Sequence, residues 1–446
     1  MEIIKYNEFD EVCYKEELDN GLKVYIFHKP LFNTSYCAFG TPYGALDIHQ
    51  KYNGKHYDFH PGIAHFLEHK VFEVEGEDVL NKFAFLGANV NAFTSYRETV
   101  YHFSMSGEEN FNEALNLLLN FTQKLSVSEE SIEKEKPIIN QEISMYQQMP
   151  DTRLLNESFS AIYKNFPMKY DIGGDEENVN AITLDELKTC YDINYHPSNM
   201  ILSIVSFIDP LKIIEVIKEN QAHKSFTKIK PAISDNLNEP KEVNEIIKEF
   251  DMDVSSIKNT YTIKLDLHHL SNLELIRYEH SIRTILQACF TNLNKDYQKW
   301  LDEKVINDFF GFDLEFEKDG AYIIFYSENN AKEELKDLVD KTLNNFKINE
   351  DILNQLKRRF IGNFFDEFND LEMFNITYLR YLLDGVDAFD VIKVYKELTI
   401  DQIINDFNNL DLSNYSLVSL KPKNWKYIQN CCKWNLYINN IYRQNC

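Results

Sequence analysis

A chain of 446 residues with 44% hydrophobic side chains, 32 Phe and 26 Tyr among them, exceeds what one core organises and predicts at least two globular domains. A net charge of −25 and a pI near 4.9 exclude nucleic acid and anionic membrane surfaces as partners and favour neutral or cationic ones. The N-terminus carries acids throughout with no apolar signal run, no stretch nears the roughly 18 apolar residues of a membrane span, and seven scattered cysteines form no C-x-x-C pair, so the expected place is the reducing cytoplasm.

In chain order, the first segment with chemistry in it is "PGIAHFLEHKVFE" from Pro61. Its apolar residues cover a broad face, which predicts a largely buried helix with Pro61 at its first position. His65 and His69 are four residues apart and share one side, and Glu68 flanks it. Two imidazoles and a carboxylate are costly on a buried helix unless something satisfies them, and a zinc ion does so. Glu68 would then stand beside the open coordination position as general base. "GANVNAFTS" from Gly87 reads as a strand that follows a helix ending near Leu86.

"SEESIEKEKPIINQEISMYQQM", residues 128–149, reads as a helix capped by Ser126 or Ser128. Glu135 and Glu142 lie seven residues apart, two turns on one face. A carboxylate from this region can complete a His-His-Glu set, although spacing alone does not separate Glu142 from its neighbours. Pro137 between them removes a backbone hydrogen bond and predicts a kink.

The chain also repeats. "VYHFSMSGEENFNEALNLLLNFTQ" from Val100 matches "AYIIFYSENNAKEELKDLVDKTLNNF" from Ala321. "ITLDELKTCYDINY" from Ile182 matches "LTIDQIINDFNNL" from Leu398, and "NMILSIVSF" from Asn199 matches "NYSLVSLKP" from Asn414. All three offsets are about 215 to 221 residues, which predicts a duplicated domain. The expected fold is α+β: two homologous domains, each an antiparallel-rich sheet with helices on one face. A proline-bearing, aperiodic stretch divides them, giving a first domain at 1–222, a linker at 223–248 and a second domain at 249–446.

H-x-x-E-H is the inverted zincin order. With Gly62 before it, "GANVNAFTS" after it and "EKPIINQE" from Glu135, the sequence resembles the pitrilysin/insulinase family of zinc metallopeptidases, the inverzincins. The likeness is strong over residues 20–210 and weaker to about residue 420, and it fits a bacterial half-length branch. The resemblance implies one Zn2+ per chain held by His65, His69 and Glu142, with Glu68 as the base and Glu135 orienting a ligand. It implies an exposed edge strand on which Asn91 and Ala92 hold a peptide's main chain while Phe93 lines a side-chain pocket. It further implies a chain forming one half of a clamshell that encloses peptides or unfolded segments. The duplicate segment "RYEHSIRTILQACF" from Arg277 has no H-x-x-E-H, so the second domain is expected to be non-catalytic. The family's oxyanion-stabilising Arg/Tyr pair is incomplete: Tyr322 is present without an arginine. A partner subunit is therefore expected to supply the pair, either a paralogue lacking the zinc motif or a second copy of this chain. The competing expectation is a catalytically silent scaffold subunit. His102, Cys431 and Cys432 are expected to be structural.

Overall fold

The computed structural model describes residues 1–423 apart from 75–76, 236–237, 268–269, 330 and 368; Cys431 and Cys432 lie outside the described residues. The N-terminal half contributes strands β1 (Glu2–Tyr6), β2 (Glu11–Glu17), β3 (Lys23–His28) and β4 (Thr34–Thr41), then helix α1 (Ile63–Val71). Strands β5 (Ala88–Thr94) and β6 (Thr99–Ser106) follow, then helices α2 (Phe111–Thr122), α3 (Glu129–Gln147), α4 (Pro150–Ile162) and α5 (Leu184–Asn194). Strand β7 (Ile201–Ser206) and helix α6 (Pro210–Ala222) close this half. The C-terminal half contributes β8 (Ile247–Met252), β9 (Lys258–Lys264), α7 (Asn272–Phe290), β10 (Gly311–Glu315) and β11 (Tyr322–Glu328). It ends with α8 (Lys332–Leu343), α9 (Glu350–Glu367), α10 (Leu371–Leu383), α11 (Ala388–Glu397), α12 (Ile400–Asn408) and β12 (Tyr415–Pro422).

The first sheet has the order β1-β2-β3-β7-β4-β6-β5 and the second β8-β12-β9-β11-β10. Superposing β3-β7-β4-β6-β5 on β8-β12-β9-β11-β10 matches every pairing: the first is parallel and the other three antiparallel. The repeats seen in the sequence are thus two copies of one topology. The segment between α6 and β8 adds one short strand, Ile233–Ser234, to the hairpin His49–Tyr52 and Lys55–Asp58. Ile247 and Lys248, placed in the linker by composition, already pair with Leu417 and Val418.

Each sheet packs its own helices on one face. Phe66, Leu67, Leu115, Leu119 and Leu187 meet the first sheet, and Ile282, Ile285 and Leu335 meet the second. The opposite faces are covered by exchange. Helix α10, from the C-terminal half, lies on the first sheet, where Tyr378 and Phe374 pack on Phe27 and Val205. Helix α4, from the N-terminal half, lies on the second, where Leu154 and Ala161 meet Val418 and Leu420. The polar seams close with Ser203 Oγ donating to Asn375 Oδ1 at 2.7 Å, and with the Ser158 and Thr260 hydroxyls 2.6 Å apart. The two domains are therefore interlocked. No helix among the described residues is long and apolar enough to cross a membrane.

Candidate metal centre

The site is built where α1, α3 and the edge strand β5 meet. Helix α1 begins at Ile63, two residues later than the proline signal suggested. Its N-cap is Gly62, whose φ of +89° favours glycine, and a Cβ there would stand 2.3 Å from Gly173 O. This backbone contact pins the start of the helix beside the 173–174 loop. Ile63, Ala64, Phe66, Leu67 and Val71 are buried, which leaves His65, Glu68 and His69 on the remaining side.

Helix α3 starts at the Ser128 cap, whose side chain accepts from Ser131 N, and carries Glu129 and Glu130 in its first turn. It runs unbroken through Pro137 to Gln147. Ile132, Ile139 and Ile143 anchor it in the core. Glu142 then meets both histidines: its Oε1 lies 3.8 Å from His65 Nε2 and its Oε2 lies 3.5 Å from His69 Nε2. Among the described residues, these three form the single group whose donor atoms all approach within 4.8 Å.

That donor set fits a zinc ion. Two ligand atoms about 2.0–2.1 Å from one tetrahedral ion stand roughly 3.3 Å apart, close to the nitrogen–oxygen separations seen here. Burial pushes the His65 pKa down to about 4, which keeps its imidazole neutral with a lone pair to offer. Burial also opposes charge on His69, but its hydrogen bond to Glu135 and the nearby carboxylates outweigh that and raise its pKa. Glu135 Oε1 lies 3.1 Å from His69 Nδ1. Its other oxygen lies 3.1 Å from Nζ of Lys70, which is only 2% exposed and also pairs with Glu73. Lys70 was not singled out in the sequence; a lysine inside a buried helical run was the available signal.

Glu68 stands beside the cluster. Thr94 Oγ1 donates to its Oε2 at 2.7 Å, and burial lifts its pKa above the ordinary carboxylate value despite that bond. Among the described residues, strand β5 is the free edge of the sheet, paired only with β6. Asn91 is exposed on it, and its Oδ1 accepts from Ala92 N at 2.9 Å. Ala92 packs toward the core under α1, whereas Phe93 turns to the α10 face, its ring 6.2 Å from that of His102. A cavity of about 750 Å3 opens against Glu68, His69, Phe72, Leu80, Asn91 and Glu135. Outside the site, His102 is partly buried, with Nδ1 3.4 Å from Glu372. Tyr322 is buried against Phe159, and its hydroxyl donates to Glu315 at 3.3 Å.

The comparisons with known proteins agree with this architecture. The solved crystal structure of an M16-like peptidase from Alicyclobacillus acidocaldarius superposes with a TM-score of 0.86 at 29% identity, covering 94% of this chain and 100% of that one. A protease from Helicobacter pylori shares the fold, with a TM-score of 0.77 at 18% identity over 92% and 99% of the two chains. The fold is thus that of a half-length, two-domain M16 peptidase. Residues 54–176 match the family model described as insulinase (peptidase family M16), and residues 181–360 match the peptidase M16 inactive domain. The Bacillus subtilis protein YmfH, named an uncharacterised zinc protease, is 34% identical over 90% of this chain and 94% of its own length. The mitochondrial-processing peptidase subunit beta of Saccharomyces cerevisiae is 27% identical over 46% of this chain and 44% of its own. The chain belongs to the insulinase family, peptidase family M16.

Proposed function

We propose that this chain is the catalytic subunit of a zinc metalloendopeptidase that hydrolyses peptides or unfolded segments. One observation carries the reading: two imidazoles from α1 and a carboxylate from α3 converge within 4.8 Å, with Glu68 held alongside. His65, His69 and Glu142 hold the ion. When bound, zinc polarises a carbonyl and lowers the pKa of water to about 7. Glu135, which only accepts, keeps the proton of His69 on Nδ1 and so frees Nε2 toward the ion. Glu68 takes the proton of the attacking water and returns it to the leaving amine. The substrate main chain adds to the edge of β5 at Asn91 and Ala92.

The chain is proposed to work in the cytoplasm as one half of a clamshell, completed by a paralogous subunit without the zinc motif or by a second copy. Two observations support a partner. Tyr322 is packed away against Phe159, and a relative is named as a subunit of a processing peptidase. The test is a quenched fluorescent peptide offered to the purified chain, alone and with its co-purifying protein, alongside Glu68→Gln. The variant should retain one zinc per chain and lose turnover by at least about a thousandfold. Cleavage by Glu68→Gln at the wild-type rate would overturn the assignment.

A further inference from the structure

The turn that joins β5 to β6, residues 95–98, is held from several directions. Within it, Ser95 N donates to Glu98 O at 2.8 Å and Arg97 N to Ser95 Oγ at 3.1 Å. Beneath it, Ala45 N and Leu46 N donate to Ser95 O and Tyr96 O at 3.0 and 2.9 Å. A Cβ on Gly44 would stand 2.5 Å from Arg97 N, so this support is pressed against the turn. From the other domain come three ion pairs, of opposite sense on two successive residues. Arg97 Nε lies 3.0 Å from Glu317 Oε1 and 3.5 Å from Glu315 Oε1, at the end of β10. Arg380 Nε, on α10, lies 2.8 Å from Glu98 Oε1, and Glu98 is only 5% exposed. Arg97 thus has two acidic partners in the other domain, Glu315 and Glu317.

An edge strand has a hydrogen-bonded neighbour on one side only, so its free side has no sheet to hold it in place. Here the metal-side end is tied by Thr94 to Glu68, and the turn beyond is tied to a strand and a helix of the other domain. We infer that Arg97 is a positioning residue, through which the domain without a metal motif holds the substrate-binding edge of β5 in place. The inference rests on the peptidase reading above. It also gives that second domain a task at the site.

The experiment uses the Glu68→Gln chain with whatever co-purifies, so that peptide binds without turnover. Binding of a fluorescein-labelled, unstructured peptide of about ten residues is read by anisotropy, and KM and kcat are read in the Glu68 parent. Arg97→Gln should weaken Kd by about tenfold and raise KM similarly, with kcat within about threefold and one zinc per chain. Arg97→Lys, which keeps the charge, should recover most of the affinity. A merely structural role would lower the folded fraction and leave the Kd and KM of the folded molecules alone. Wild-type Kd and KM in folded, zinc-loaded Arg97→Gln would overturn the inference. Should that variant not fold, Glu317→Gln takes its place: an intermediate loss supports the inference and unchanged affinity overturns it. If the zinc-loaded Glu68→Gln chain binds no peptide at all, the peptidase reading fails first and carries this inference with it.

Discussion

Glu135 accepts a hydrogen bond from Nδ1 of His69 at 3.1 Å while its second oxygen faces the buried ammonium of Lys70 at 3.1 Å. A single carboxylate thus fixes the ring's tautomer and neutralises a cation with almost no access to water. Its own pKa is held low by the His69 hydrogen bond above all, and by Lys70.

Glu135→Gln should therefore weaken zinc binding without unfolding the chain. The amide can turn its NH2 toward Nδ1 and favour the wrong tautomer, and it leaves Lys70 with Glu73 as its remaining acidic partner. A loss of about 10- to 100-fold in zinc affinity is expected. Competition with a chromophoric chelator measures it, and an unaltered dissociation constant would remove Glu135 from any ligand-orienting role.

Pro137 presents the reverse case, a local cost without an evident return. It is exposed in the middle of α3 and lacks the N–H that the helix would use there. Pro137→Ala should raise stability by about 1–3 kcal/mol in urea titration. Zinc content should stay at one per chain, because Ile139 and Ile143 set the rotation of the helix around Glu142. Loss of zinc on this substitution would show instead that the proline aims Glu142.

The elements of the site were legible because each leaves a local signature. HFLEH has metal-ligand spacing on a buried helix, and "NAFTS" follows a helix-ending glycine. The duplication was legible as matched strand–helix patterns. What periodicity does not carry is which surface covers an apolar face. The stripes of α4 and α10 look like those of any core helix, so their exchange between domains was invisible. The start of α1 was misplaced for a related reason. Gly62 is required by Gly173, more than a hundred residues away, and a proline signal outweighed it locally. Arg97 went unnoticed because its partners, Glu315 and Glu317, lie in the other domain.

The exchange of helices has a measurable consequence. Tyr378 belongs to the C-terminal half but is fully buried on the first sheet, its ring 4.7 Å from Phe27 and its hydroxyl 3.1 Å from that of Tyr6. Tyr378→Ala should cost about 3–5 kcal/mol. The loss should appear as faster hydrogen exchange in β3 and β7, far away in sequence. Exchange that quickens only around α10 and α11 would mean that the two halves are not energetically interlocked.

His280 sets an acid limit on the second domain. It lies on α7 at 7% exposure, with the rings of Phe360 and Tyr395 both 5.0 Å away and, among the described residues, no hydrogen-bond partner for Nδ1. Burial, aided by the charge of Arg283, holds its pKa down to about 3. The unfolded chain binds this proton near pH 6.5. Between pH 6.5 and 3 the unfolded state therefore holds more protons, and stability falls as the pH is lowered through that window. At pH 5 the contribution already lost is about 2 kcal/mol, at 1.36 kcal/mol per pH unit below 6.5. His280→Leu removes the titrating group at similar volume. Urea titrations of the metal-free chain at pH 7 and pH 5 should show the wild type losing about 2 kcal/mol more than the variant over that interval. Zinc is left out because protonation of its ligands would add an acid dependence of its own. Equal losses in the two proteins would mean that water or a rearranged neighbour lets the buried ring take its proton at an ordinary pH.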